Sequence, residues 1–284
     1  MLETLTLIIP CVEEVYLLER CLKSIEKVLP GQKVIVIQMA NWTFDPYDGK
    51  NLQICQVRSP LLGVAAAKNF GARMVKTEYM ALLDSDNWFI DHGTNWTLQL
   101  SKAMEQYPFL IALQRSEENR RLVSGIRPDK WNFSRHCIGW SVIWSYKHFW
   151  SLGGLDESCG TGSSTLAQAG EEFTILYKHF EKFSENTIYL SDLLIAHPSL
   201  DKPVPLKKKF AYAYGSNYNA MFQIRRKLSI MACFWYLKTI IGFGNDINRG
   251  LRSRSIMEII ILVLARLLAL LDSIIRDMPR NYNP

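Results

Sequence analysis

The sequence predicts an α/β protein: a mostly parallel central sheet flanked by helices, followed by a helical C-terminal extension. Three observations carry this. Short apolar runs such as Leu5–Pro10 and Lys33–Met39 are rich in β-branched residues, as strands buried on both faces are. These runs alternate with helical patterns in the order strand, helix, strand, strand, helix, strand. The last third of the chain changes character, to basic and aromatic residues and then long apolar stretches.

Each element has its own signal. "LTLIIP" (5–10) is a strand stopped by proline. Leu17, Leu18, Cys21, Leu22, Ile25 and Val28 recur at helical spacing, and Pro30-Gly31 ends that helix. "KVIVIQM" (33–39) and "LQICQVR" (52–58) are the second and third strands. "GVAAAKNFGARMVK" (63–76) is a helix of small residues, suited to close backbone packing, and "YMALLD" (79–84) is the fourth strand. Residues 90–200 predict a helix near Trp96–Gln106 and strands at "FLIALQ" and "GWSVIWS". A polar loop over 115–136, a helix opening on Glu171-Glu172 and a strand running into His197-Pro198 complete that region. Behind it, "LKKKFAYAYGSNYNAMFQIRRKLS" is basic and aromatic, and two apolar helices follow. Lys238 interrupts the first of these, and Glu258, Arg266 and Asp272 the second, so neither reads as a membrane span.

With 284 residues, 48% of them hydrophobic and 21% charged, the chain is long and apolar enough for a sizeable core, which excludes a disordered protein. Residues 201–284 hold 14 Lys/Arg and 5 Asp/Glu, a balance of +9 within a total of +6, so residues 1–200 balance at −3. A basic, apolar tail favours phosphates or anionic lipid. No nucleic-acid-binding motif accompanies it, so nucleic acid is not an expected partner. The N-terminus lacks a signal-peptide pattern, and six scattered cysteines without a CxxC pair read as reduced thiols. Both point to the cytoplasm.

The chemistry gathers at strand ends, where open α/β sheets bind ligands. Pro10, Gln38–Asn41 and Asp84–Asn87 all fall there. Asp84-Ser85-Asp86 offers two carboxylates one residue apart. These are hard oxygen ligands for Mg²⁺ or Mn²⁺ on a phosphate, or else an ordinary polar turn. Glu171-Glu172 supplies a general base or merely complements a helix dipole. His197 is a metal ligand or proton donor, or a structural residue.

Together these segments resemble family 2 glycosyltransferases. "GVAAAKNFGARMVKTEYMALLDSDNWF" is similar to that family's small-residue helix with an Arg/Lys-Asn pair, followed by a strand ending in D-x-D. "LTLIIPCVEE" resembles its first strand and Pro-x-x-Asn-Glu turn, "SLGGLDES" its Gly-Gly-Phe-Asp-Glu segment, "GEEFTIL" its Glu-Asp motif and "IAHP" its later histidine. The resemblance implies a GT-A (Rossmann-like) fold and sugar transfer from a nucleoside diphosphate donor with inversion. It implies a nucleotide-sugar-binding half over 1–115, an acceptor-binding half with the catalytic base over 116–200, and a C-terminal extension over 201–284. Pro10, Val12, Glu14, Gln38, Lys68, Asp84, Ser85 and Asp86 would bind the nucleotide sugar. Asp86 with His197 would hold Mn²⁺ or Mg²⁺. Asp156 and Glu157 would face the acceptor, and Glu172, or its neighbour Glu171, would be the base. The implied acceptor is a glycan, either lipid-linked or a polysaccharide, met at the inner face of the cell membrane through peripheral contact by the C-terminal helices.

The pattern also departs from the family. Glu13 replaces the turn asparagine, Gln38 and Asn41 stand where an acid follows the second strand, and Asn87 replaces a commonly acidic position, a weaker metal ligand. Two other readings stay open. A nucleotidyltransferase would use the same sheet and metal, although no glycine-rich phosphate loop follows the first strand. A non-catalytic nucleotide-sugar-binding protein would suit the altered Gln38 and Asn87.

Overall fold

The computed structural model describes residues 2–12, 15–39, 51–59, 63–117, 126–137, 139–198, 205–226, 229–252 and 256–275. They fall into two compact units. The first comprises Met1–Leu62, Ala66–Gly154 and Lys178–Ser199, the second Gly63–Ala65, Leu155–Tyr177 and Leu200–Pro284.

The first unit is built on one sheet. Its strands are β1 (Leu5–Cys11), β2 (Lys33–Gln38), β3 (Gln53–Arg58), β4 (Tyr79–Leu82), β5 (Trp88–Ile90), β6 (Leu110–Glu117), β7 (Val142–Ser145) and β8 (Thr187–His197), in the order β3-β2-β1-β4-β7-β6-β8-β5. Only β7 and β5 run against the rest, so the sheet is mostly parallel, as its continuous apolar strands require. All seven residues of β1 are buried. The edge strand β3 differs from its expected buried character. It alternates between exposed and half-buried residues because only β2 pairs with it.

Helix α1 (Val15–Val28) buries Leu18, Cys21, Leu22, Ile25 and Val28, the face its spacing predicts. Each such Leu or Ile stabilises the fold by roughly 1.5–3 kcal/mol. Helix α2 (Val64–Arg73) lies tight on the sheet at Gly71. A Cβ there would fall 2.7 Å from Ile8 Cγ2 and 3.0 Å from Ile37 Cδ1. Helix α3 (Trp96–Met104) starts at Asn95, whose side chain accepts from the Leu98 amide at 2.9 Å. Short helices α4 (Phe133–His136) and α5 (Tyr146–Ser151) occupy stretches where the sequence showed a loop and no element, both being too brief for a helical period to emerge. β5 was also unforeseen. At three residues, it is defined by pairing with β8 rather than by its own pattern.

Two histidines of this unit are buried together. His148 of α5 and His179 of α6 (Phe173–Lys182) meet with Nε2 and Nδ1 3.0 Å apart, and His179 Nε2 lies 2.7 Å from Thr187 Oγ1. Phe109 stacks on His148. Burial lowers the His148 pKa to about 4, and burial followed by the neighbouring His148 lowers that of His179 to about 3. Both are therefore neutral in the folded protein at neutral pH. Below about pH 6.5 the unfolded chain takes up protons that the folded chain refuses, at about 1.4 kcal/mol per group per pH unit. This part of the stability is complete above pH 6.5 and is lost as pH falls toward the folded-state values. Urea unfolding at pH 7.5 and pH 5.5 should show a loss of about 2–3 kcal/mol. A His179→Gln variant should show a shallower slope.

The second unit contains three long helices, α7 (Leu206–Arg226), α8 (Ile230–Arg252) and α9 (Ile256–Ile275). The basic, aromatic stretch is thus a helix. Two of its tyrosines lie on its buried face: Tyr214 and Tyr218 pack with Leu262, Ala265 and Ala269 of α9. The charges that interrupt α9 all have partners within the unit. Glu258 pairs with Lys209 at 2.7 Å, Arg266 Nη1 donates to the Thr239 carbonyl at 3.0 Å, and Asp272 accepts from Tyr214. Among the described residues, no helix is long and apolar enough to cross a membrane.

Candidate metal and nucleotide site

The carboxyl ends of β1, β2 and β4 form one rim. Cys11 is in register with Gln38, Ile8 with Leu82, and the Leu83 amide donates to Ile8 O. Pro10 is buried within β1, Val12 emerges beyond it 46% exposed, and Gln38 is the last residue of β2. Glu14 and Asn41 lie outside the described residues.

Just past β4 the chain makes a tight turn over Asp84, Ser85, Asp86 and Asn87. The Asn87 side chain accepts from the Asp84 amide at 2.8 Å, and the Asn87 amide donates to Asp84 O at 3.1 Å. Asn87 is fully buried. Its expected place as a weaker metal ligand is therefore corrected: its amide oxygen is committed to the backbone and holds the turn closed. From α1, Arg20 Nη2 donates to Asp86 O at 3.1 Å, and its guanidinium lies 4.0 Å above the Trp88 ring. Asp84 Oδ1 accepts from Lys68 Nζ at 2.6 Å. Lys68 is 4% exposed on α2, so its charge is spent on fixing Asp84.

Strand pairing brings in the third member. β5 follows the turn and pairs antiparallel with β8, with Trp88 opposite Ala196. That register sets His197, more than a hundred residues away in sequence, beside Asp86. Its Nε2 lies 3.2 Å from Asp86 Oδ2. His197 Nδ1 lies 2.8 Å from Pro198 O, to which it donates, leaving Nε2 to face the carboxylates. Trp140 stacks on the imidazole, with centroids 5.5 Å apart, and fixes its plane.

Ligand atoms of Asp84, Asp86 and His197 all lie within 4.8 Å of one another. Burial opposes the charge on His197, but the hydrogen bond and charge of Asp86 outweigh it and raise the imidazole pKa above its usual 6.5. Burial likewise pushes the Asp86 carboxyl up, yet its bond to His197 holds it below its ordinary 3.8. The other Asp86 oxygen, Oδ1, is buried with no hydrogen-bond partner. An orphaned carboxylate oxygen beside an imidazole nitrogen and a second carboxylate fits a divalent cation.

The remaining expected residues lie in the second unit. Asp156 is half-buried, and its carboxylate accepts from the Ser158 amide and hydroxyl at 3.0 and 2.6 Å; Glu157 is exposed. Glu171 and Glu172 precede α6 rather than forming its first turn. The Leu176 amide donates to Glu172 O at 3.0 Å, which makes Glu172 the residue on which the helix starts. Both side chains are half-buried. Sequence reasoning missed Arg20 and the stacking of Trp140 on His197. Arg20 sits within an amphipathic helix, and a stacking contact leaves no spacing to read.

Residues 6–136, a little under half of the chain, match the model of glycosyl transferase family 2. No curated protein matches the sequence significantly. In fold, the chain is similar to S. aureus TarS 1-349 in complex with UDP-GlcNAc, at a TM-score of 0.65 and 11% identity, covering 95% of this chain and 80% of that one. The same TarS segment in complex with UDP gives 0.53 and 12%, covering 98% and 94%. The mannosyltransferase PcManGT from Pyrobaculum calidifontis, in complex with GDP-Man and Mn2+, gives 0.54 and 16%, covering 97% and 76%. Residues 6–136 are thus similar to glycosyl transferase family 2, and the fold of the chain is that of the GT-A glycosyltransferases.

Proposed function

We propose that this protein is a metal-dependent, inverting glycosyltransferase that moves a sugar from a nucleoside diphosphate donor to a hydroxyl of a glycan, lipid-linked or polysaccharide. The observation that carries the reading is the Asp84–Asp86–His197 cluster with its orphaned Asp86 oxygen. Asp86 and His197 hold the cation, Mn²⁺ or Mg²⁺, and a cation there supplies positive charge to the leaving diphosphate. Asp84, fixed by Lys68, meets the nucleoside with Pro10, Val12, Glu14, Gln38 and Ser85, within a donor half over 1–115. In the acceptor half, over 116–200, Asp156 and Glu157 face the incoming sugar. Glu172 takes the proton of the attacking hydroxyl as its oxygen bonds to the anomeric carbon and the carbon–diphosphate bond breaks. One base and one displacement give inversion. The nucleotide sugars bound by the structural neighbours, UDP-GlcNAc and GDP-Man, support the donor class.

The test is nucleotide release from UDP-GlcNAc and from GDP-Man with Mn²⁺, Mg²⁺ or EDTA. UDP or GDP should appear only with metal. Release of the sugar 1-phosphate instead, as the nucleoside monophosphate is transferred, would favour nucleotidyl transfer, and metal-dependent donor binding without release would favour a binding protein.

The C-terminal helices are read as a peripheral membrane contact at the cytoplasmic face. Ile230, Leu237, Ile240 and Ile241 of α8, and Ile256, Ile260, Leu264, Leu267 and Leu271 of α9, are exposed, and Lys207, Lys208 and Lys238 add basic charge. Sedimentation with vesicles containing anionic lipid should exceed that with neutral ones, and Leu264→Glu with Leu267→Glu should abolish it. Equal binding would refute this contact.

A further inference from the structure

We propose that Asn219 of α7 is a positioning residue for the Glu171–Glu172 turn, which makes the C-terminal helical segment part of the reaction machinery. This rests on the reading of Glu172 as the base. Gly215, Asn219 and Gln223, spaced four apart, share one face of α7. All three meet the segment from Ala169 to Thr174. Asn219 is 1% exposed. Its amide nitrogen donates to Gly170 O at 3.2 Å and to Gly215 O of its own helix at 2.9 Å. Its oxygen accepts from Thr174 Oγ1 at 3.4 Å and faces Cys159 Sγ at 3.9 Å. One asparagine thus grips the residue just before the acid pair and the residue two beyond it. Gln223 Nε2 adds a bond to Thr174 Oγ1 at 3.4 Å.

Two glycines let the helix and the turn come this close. Gly170 holds a positive φ of 89°, and a Cβ on it would fall 2.4 Å from the Asn219 nitrogen. A Cβ on Gly215 would fall 2.5 Å from Ala169 O. From the other side, the Asp156 amide donates to Glu171 O at 3.3 Å, and the Glu171 carboxylate lies against Gly160. The backbone under the acid pair is therefore clamped from two directions. A general base needs its carboxylate held to within about 0.5 Å, and glutamate's own torsions cannot do that on a loose backbone. An amide is the side chain for this place because it donates to one carbonyl while accepting from a hydroxyl. An apolar isostere would leave Gly170 O short of a donor.

The test compares Asn219→Ala, Asn219→Asp and Glu172→Gln. Amide hydrogen exchange over 168–176 should speed up by ~10-fold or more in Asn219→Ala, and by at least as much in Asn219→Asp, which sets a carboxylate oxygen against the Gly170 and Gly215 carbonyls where the amide nitrogen donated. Nucleotide release from UDP-GlcNAc or GDP-Man should lose ~10-fold or more in kcat while donor KM stays within about twofold. Mn²⁺ binding should be unchanged. Unchanged exchange over 168–176, or exchange raised equally throughout α7–α9, would overturn the proposal. So would normal kcat in Asn219→Ala while Glu172→Gln is inactive. If Asn219→Ala does not fold, Gln223→Leu serves instead, with a smaller increase expected at the same amides. A fully active Glu172→Gln would defeat the base assignment alone, since the exchange result judges the clamp independently.

Discussion

Asp86→Ala is expected to abolish metal-dependent nucleotide release, a loss of ~10³-fold or more, while leaving the protein folded. The variant removes the orphaned Oδ1 and the oxygen bonded to His197, which are the two atoms best placed for a cation. It leaves the turn intact, because Arg20 holds the Asp86 backbone carbonyl and Asn87 holds the Asp84 amide. The stability change should accordingly stay within about 1 kcal/mol. Mn²⁺ titration followed by electron paramagnetic resonance would read the site directly, and retained Mn²⁺ affinity would defeat the assignment. The pH dependence carries a second check. A protonated His197 is stabilised by Asp86, and its pKa is raised. A cation needs that nitrogen free of its proton, so Mn²⁺ affinity should climb as pH rises through the raised pKa and level off above it. His197→Gln should flatten the curve.

Much of the sheet could be read from the chain because buried parallel strands announce themselves: β1 and β2 have no polar interruption between Leu7 and Pro10 or between Val34 and Ile37. The acid turn was legible too, since Asp84 and Asp86 follow an apolar strand. Other features are set by long-range pairing and leave no local trace. Trp88–Ile90 becomes a strand only because β8 lies beside it, and that pairing alone puts His197 at Asp86. Within the expected helical extension, helix α7 was not singled out because its buried face mixes alanines with Tyr214, Tyr218, Asn217, Asn219 and Gln223, and the polar groups dilute the apolar period. The charges of α9 look like breaks in an apolar helix until Lys209, Thr239 and Tyr214 arrive from the neighbouring helices to satisfy them.

Glu172→Gln is the second large effect. It should cut nucleotide release by ~10²–10⁴-fold, the usual range for removing a general base, with donor and Mn²⁺ affinities preserved. The substitution is nearly isosteric. The backbone carbonyl that accepts from the Leu176 amide remains, so α6 still starts where it does. What is lost is a carboxylate able to take the hydroxyl proton as the new bond forms. Glu171→Gln is the informative partner, because the two acids differ in surroundings. The Glu171 carboxylate is packed against Gly160, as befits a side chain that shapes the loop. Its replacement should therefore cost stability and ~10-fold at most in turnover, without eliminating the proton acceptor. If instead Glu171→Gln is inactive and Glu172→Gln retains full turnover, the base is Glu171. If both retain full turnover, the acceptor proton leaves by another route and the acid pair only caps the helix.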